Sequence, residues 1–154
     1  MITGPKLTVC NAVAALIVLD NGQYLLQHRD NVPDIWYPGH WGCFGGAVDE
    51  GEDPLSALCR ELYEEIEFKP QEVAYFTRVD FDLTELGLCH FYRMFYIIPM
   101  TVADQARLVL HEGQAVDAFS GGTIINKLKV TPYDAFALFL HIAQGRLGIP
   151  PPNV

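Results

Sequence analysis

Glu61, Glu64 and Glu65 are the residues whose type and spacing could do chemistry. They stand at i, i+3 and i+4, which on a helix gathers them within roughly a 100° arc along one edge. Carboxylates held that close repel one another. A hard divalent cation, which takes carboxylate oxygens, waters and phosphate oxygens, would relieve the repulsion. The other reading is a solvated acidic helix face. The surroundings favour the first: Glu52 precedes the helix, Arg60 adjoins Glu61, and Gly45-Gly46 leads into the segment. Eight of the nineteen acidic residues lie between positions 49 and 67.

The elements that must position these groups can be read from the pattern around them. Asp53-Pro54 is a helix start, with Asp as the cap and Pro in the first turn. The helix is expected over 54–68, with Leu55, Leu58, Cys59, Leu62 and Ile66 as its buried stripe, until Lys69-Pro70 stops it. Upstream, 9–19 (VCNAVAALIVL) is an apolar run that predicts a strand buried on both faces. Asp20-Asn21-Gly22 turns it into a returning strand over 23–28. Residues 29–40 form a Pro- and Gly-bearing loop, and 41–44 are short and extended.

Downstream, 73–81 and 88–98 predict a strand pair, and 107–111 a further short strand. Gly121-Gly122 opens a loop, and Thr131 to Asp134 reads as a capping box for a last helix over 132–144. From about residue 149 the chain reads as a loose tail. The fold class is α/β (α+β), one domain over 1–154 with a mixed sheet covered by helices.

Composition narrows the functions. The 154 residues carry a formal charge of −9, unsuited to sequence-independent nucleic-acid binding. No apolar run approaches the ~18 residues of a membrane span. The N-terminal MITGPKLTV lacks the organisation of a secretory signal, so a cytoplasmic location is expected. Cys10, Cys43, Cys59 and Cys89 are scattered without a CxxC pair, which argues for buried free thiols over disulfides or zinc.

The segment GAVDEGEDPLSALCRELYEEIEF, residues 46–68, resembles the Nudix box of Nudix hydrolases. Gly46, Glu52, Arg60, Glu61, Leu62, Glu64 and Glu65 match the pattern with both gaps correct, and Phe68 fills its final aliphatic slot. Glu67 stands where the family has a late Gly, which is expected to let the helix continue to Lys69-Pro70.

The resemblance implies an α/β/α sandwich that hydrolyses a nucleoside diphosphate linked to another moiety, with Mg²⁺ or Mn²⁺ as cofactor. It implies Glu61, Glu64 and Glu65 as metal ligands and catalytic groups, with Glu52 and the Gly45 carbonyl as further ligands. Arg60 would orient a carboxylate, and Gly46 would lie against the substrate. Glu112 is the candidate for a later-loop carboxylate, as ligand or general base, against an ordinary loop Glu. Arg29 could meet a substrate phosphate, or pair on the surface with Asp30 or Asp34. Trp41, Trp36 and Tyr37 could stack on a base, with core packing the plainer account of Trp41. The partner is a small nucleotide, a triphosphate or nucleotide sugar foremost, and a homodimer is possible. The alternative is a non-catalytic Nudix-like nucleotide-binding or sensor module.

Overall fold

The computed structural model describes residues 9–144. Its central strand is β1 (Ala12–Leu19). Because side chains alternate along a strand, Val13, Ala15, Ile17 and Leu19 enter one core cluster, and Ala14 and Leu16 the other. The uninterrupted apolar run is the sequence of a strand buried on both faces. At its end Gly22, at φ 82, donates its N–H to the Leu19 carbonyl at 2.8 Å. The chain then returns as β2 (Tyr24–His28), with Ile17 opposite Leu25.

β3 (Trp41–Gly42), β4 (Ala74–Phe81), β5 (Phe91–Met100) and β6 (Ala115–Phe119) complete a six-stranded sheet ordered β3-β2-β1-β5-β4, with β6 on β2. β1 and β5 run parallel, and the other strand pairs are antiparallel. Helix α1 (Pro54–Ile66) covers one face through Leu58, Leu62 and Ile66. Beyond a single-turn helix α2 (Val102–Gln105), α3 (Gly121–Asn126) and α4 (Pro132–Ile142) cover the other face through Ile124, Ala137 and Leu138. The α/β/α sandwich is as expected. Among the described residues no helix is long and apolar enough to cross a membrane.

Asp53 caps α1 as its sequence implies, accepting the Ser56 N–H at 3.1 Å. The other end differs from expectation. The helix stops at Ile66, and Glu67 adopts the left-handed conformation itself (φ 54, ψ 31), donating its N–H to the Tyr63 carbonyl at 2.9 Å. The terminator is therefore Glu67 in the geometry a Gly would take, not Lys69-Pro70. The buried stripe also differs: Leu55 and Cys59 are exposed, and Ala57 and Glu65 are buried in their stead.

Residues 107–111 form no strand. Val109 and His111 donate their N–H groups to the Ile66 and Glu65 carbonyls, at 3.4 and 2.8 Å, which the end of a helix leaves without partners. The next strand, β6, reads AVDAF, too poor in β-formers to announce itself. Gly121-Gly122 opens α3 instead of a loop, with Ser120 capping the Thr123 N–H at 3.2 Å. A Cβ on Gly121 would come within 2.8 Å of Ile142, so close packing on α4 requires the glycine. Only Cys43 of the four free cysteines is buried; Cys10, Cys59 and Cys89 are exposed. The capping box at Thr131 does not form, because Asp134 turns into the core. The expected tail from residue 149 lies outside the described residues.

Candidate active site

Gly45 passes β1 at a separation no side chain tolerates, and Gly46 lies directly against a carboxylate of α1. A Cβ on Gly45 (φ 132) would lie 2.2 Å from the Val13 carbonyl oxygen. A Cβ on Gly46 would lie 2.6 Å from the Glu61 carboxylate. The Gly45 N–H donates to Glu65 Oε2 at 2.9 Å. The glycine pair and the helix carboxylates are thus one structural unit.

Arg60 organises the carboxylates along α1. Its Nε and Nη2 hold the two oxygens of Glu52 at 2.9 Å each. Its Nη1 reaches Glu61 at 2.8 Å and Glu64 at 3.3 Å, and Nη2 also donates to the Ala47 carbonyl at 3.0 Å. These hydrogen bonds to Glu52 and Glu61 hold the guanidinium's pKa above its ordinary value. Glu52 also accepts the Asp49 N–H at 3.0 Å. Arg60 and that amide hold its carboxyl below the usual range. Both Glu52 oxygens are therefore engaged by protein donors, so that here Glu52 holds Arg60.

Glu65 is 5% exposed. Burial pushes its carboxyl up to about 8; the Gly45 N–H opposes the shift, and the charges of Glu61 and Glu112 add to it. Burial also raises Glu61, against the pull of Arg60 and with added repulsion from Glu64 and Glu112. Glu112 comes from the segment between α2 and β6. Gln27 Nε2 donates to its carbonyl at 2.9 Å, and the Gln114 N–H donates to the His28 carbonyl at 2.8 Å. Between them Gly113, at φ 84, lies where a Cβ would meet Gln27 and His28 at 2.8 Å. With His111 pinned to the Glu65 carbonyl, this loop holds Glu112 near enough for its charge to act on Glu61 and Glu65.

Among the described residues no three His, Cys, Asp or Glu side chains already form an ion cage, since Arg60 draws Glu52, Glu61 and Glu64 to itself. The donor set is nevertheless that of a hard divalent cation. It consists of carboxylate oxygens, with more negative charge than Arg60 offsets and a buried Glu65 whose ionisation is disfavoured until positive charge arrives.

A cavity of about 360 Å³ opens beside Gly45 and Gly46, walled by Trp36, Tyr37, Phe81, Phe91 and Tyr133, with Arg29 and Arg93 on its lining. Arg29 donates Nε to the Trp36 carbonyl at 3.2 Å, a backbone bond in place of the weighed Asp30 or Asp34 pairing. Trp41 does not line the cavity. Its ring stacks on His28 at 4.8 Å and meets Phe119 edge-on at 4.7 Å, the packing role weighed for it beside base stacking.

Sequence reasoning missed Arg93 and Asp134. Asp134, 1% exposed, accepts Arg93 Nε, the Cys43 N–H and the Thr131 hydroxyl, all at 2.9 Å. Burial works against the charge of Arg93, and Asp134 outweighs it, leaving the guanidinium above its ordinary value. The available signal was a lone Arg sharing a strand face with Phe91 and Phe95.

Fold and site together define a class, and comparison with known proteins agrees. Residues 10–121 match the NUDIX domain, and the chain belongs to the Nudix hydrolase family. It is 43% identical over 56 residues to an RNA pyrophosphohydrolase of Rhizobium meliloti (strain 1021), a match spanning 34% of either chain, about a third of that relative's length. The solution structure of the E. coli ORF135 protein superposes with a TM-score of 0.72 at 27% identity, covering 94% of this chain and 95% of that one. A MutT protein from Methanosarcina mazei Go1 superposes at 0.71 with 21% identity, over 92% and 97%.

Proposed function

We propose that the chain is a divalent-cation-dependent pyrophosphohydrolase. Its substrate class is a nucleoside diphosphate linked to another moiety, with nucleoside triphosphates and nucleotide sugars foremost. The observation that carries this reading is the convergence of Glu61, Glu65 and Glu112 beside Gly45-Gly46, at the edge of an aromatic cavity. In this reading Glu61, Glu64, Glu65 and Glu112, with the Gly45 carbonyl, hold Mg²⁺ or Mn²⁺. When bound, the cation screens phosphate charge and makes water a better nucleophile near neutral pH. Arg60 and Glu52 fix the angles of the helix carboxylates, and Gly46 lets the phosphates approach the backbone.

Hydrolysis adds a water oxygen to one phosphorus and breaks the bridging P–O bond. Two phosphorylated products and a proton leave. A carboxylate of the cluster accepts that proton, and Glu112, on a loop apart from the helix, is best placed to act without disturbing the rest.

The test is turnover of nucleoside triphosphates, nucleotide sugars, ADP-ribose and dinucleotides with Mg²⁺ or Mn²⁺, beside an EDTA control and Glu64→Gln. The expected result is turnover that EDTA abolishes and that Glu64→Gln lowers about 10²-fold or more. Equal background rates in wild type, variant and EDTA would overturn the enzyme reading in favour of a nucleotide-binding module.

A further inference from the structure

Resting on that reading for the orientation of the phosphates, we infer that Arg93 reads the paired acceptor edge of a guanine base seated in the aromatic cavity. The cavity's size and its five aromatic walls suit a flat ring. Among the polar groups on its lining is the Arg93 side chain, 12% exposed. Nε is committed to Asp134 at 2.9 Å, and the guanidinium lies over the Tyr133 and Phe95 rings at 4.8 and 5.6 Å. Salt bridge and rings together fix the plane of the fork.

The two terminal nitrogens of Arg93 have no hydrogen-bond partner among the described residues. They are not sealed in either, so they face the cavity that the residue lines. Two parallel donors, locked in orientation and waiting in an aromatic slot, call for two adjacent acceptors on a planar ligand. Guanine offers O6 and N7 side by side; adenine sets an amino donor beside N7; cytosine presents a donor.

A phosphate fits this position less well. Asp134 already neutralises Arg93, so the pair carries no net charge to offset a dianion, while a neutral acceptor edge needs only the hydrogen bonds. In the proposed reading the phosphates meet the cation held by the carboxylates beside Gly45-Gly46, a pair that borders both the cavity and the carboxylates. Base and reacting bond are thereby brought to the same two glycines.

The test compares kcat/KM for GTP, 7-deaza-GTP and ATP in the wild-type enzyme with Mg²⁺, and the calorimetric affinities of GMP and AMP without metal. A bidentate Arg–guanine contact discriminates by about 5- to 150-fold. GTP and GMP should therefore lead ATP and AMP by about 10-fold or more, with 7-deaza-GTP falling toward ATP. Arg93→Lys, which keeps a cation for Asp134 and loses the fork, should lower kcat/KM for GTP more than for ATP. Preference for GMP without turnover of any nucleotide would support this inference and sink the hydrolase reading. Turnover with GTP, 7-deaza-GTP and ATP within twofold of each other, or equal losses for GTP and ATP in Arg93→Lys, would overturn the inference. If Arg93→Lys does not fold, the 7-deaza-GTP comparison decides.

Discussion

Arg60 is the residue on which the acidic cluster depends. A single guanidinium grips Glu52 with two hydrogen bonds and reaches Glu61 and Glu64 with a third nitrogen. A lysine can supply the charge but not the planar fork that fixes Glu52 and Glu61 together. Arg60→Lys is therefore expected to lower kcat about 10- to 100-fold with little change in KM, measured by steady-state hydrolysis. Wild-type kcat in that variant would show that carboxylate orientation does not depend on Arg60. At this scale the helix carboxylates were legible, because i, i+3, i+4 spacing is local. The Arg93–Asp134 pair was not, since its partners lie 41 residues apart and meet only through the sheet.

At the scale of elements, the end of α1 and the loop that brings Glu112 are coupled. Glu67 terminates the helix in a left-handed conformation that costs a residue with a Cβ roughly 1–2 kcal/mol. Its carboxylate also meets His111 Nε2 at 2.6 Å. Substituting Gly or Ala removes that contact equally, so their difference isolates the backbone. Glu67→Gly should be more stable than Glu67→Ala by about 1 kcal/mol, a melting difference of roughly 2–4 °C. Equal melting temperatures, or a more stable Ala variant, would contradict the left-handed assignment. The sequence could not show this, because Glu is no one's first choice for that conformation. Nor could it show that residues 107–111 spend their amides on helix carbonyls instead of a strand partner.

Helix α4 is tied to the sheet by a titratable contact. His141 Nδ1 bonds the Tyr24 hydroxyl at 2.8 Å, and the imidazole sits edge-on to Tyr24 and Phe76. Burial lowers its pKa below the usual 6.5. A depressed histidine contributes stability that is fully present above the unfolded value and lost as pH falls below it. Between pH 6.5 and 5.5 the wild-type melting temperature should fall, and His141→Gln should lack that part of the decline. Parallel curves for the two proteins would contradict the assignment.

For the whole molecule, the layers followed from the sequence: a strand apolar on both faces demands cover on both sides, and the two long helices were there to give it. The depth of Glu65 was less legible. Its position on the acidic edge was plain, but burial at 5% exposure depends on how α1 meets Gly45 and β1. In the proposed reading that depth sets stability against function. With its carboxyl held near 8, above the ordinary 4.5, Glu65 favours the protonated form on folding. The associated stability is full below the ordinary value and is lost as pH rises through the folded one.

The most direct measurement is therefore Glu65→Gln against wild type, read twice: by denaturant unfolding at pH 8.5 without divalent cation, and by kcat with Mg²⁺. The expected result is opposite signs, a gain in stability on the order of 2 kcal/mol and a loss in kcat of about 100-fold or more. Unchanged kcat, or a variant less stable than wild type at that pH, would contradict the assignment of this buried carboxylate to the hydrolytic centre.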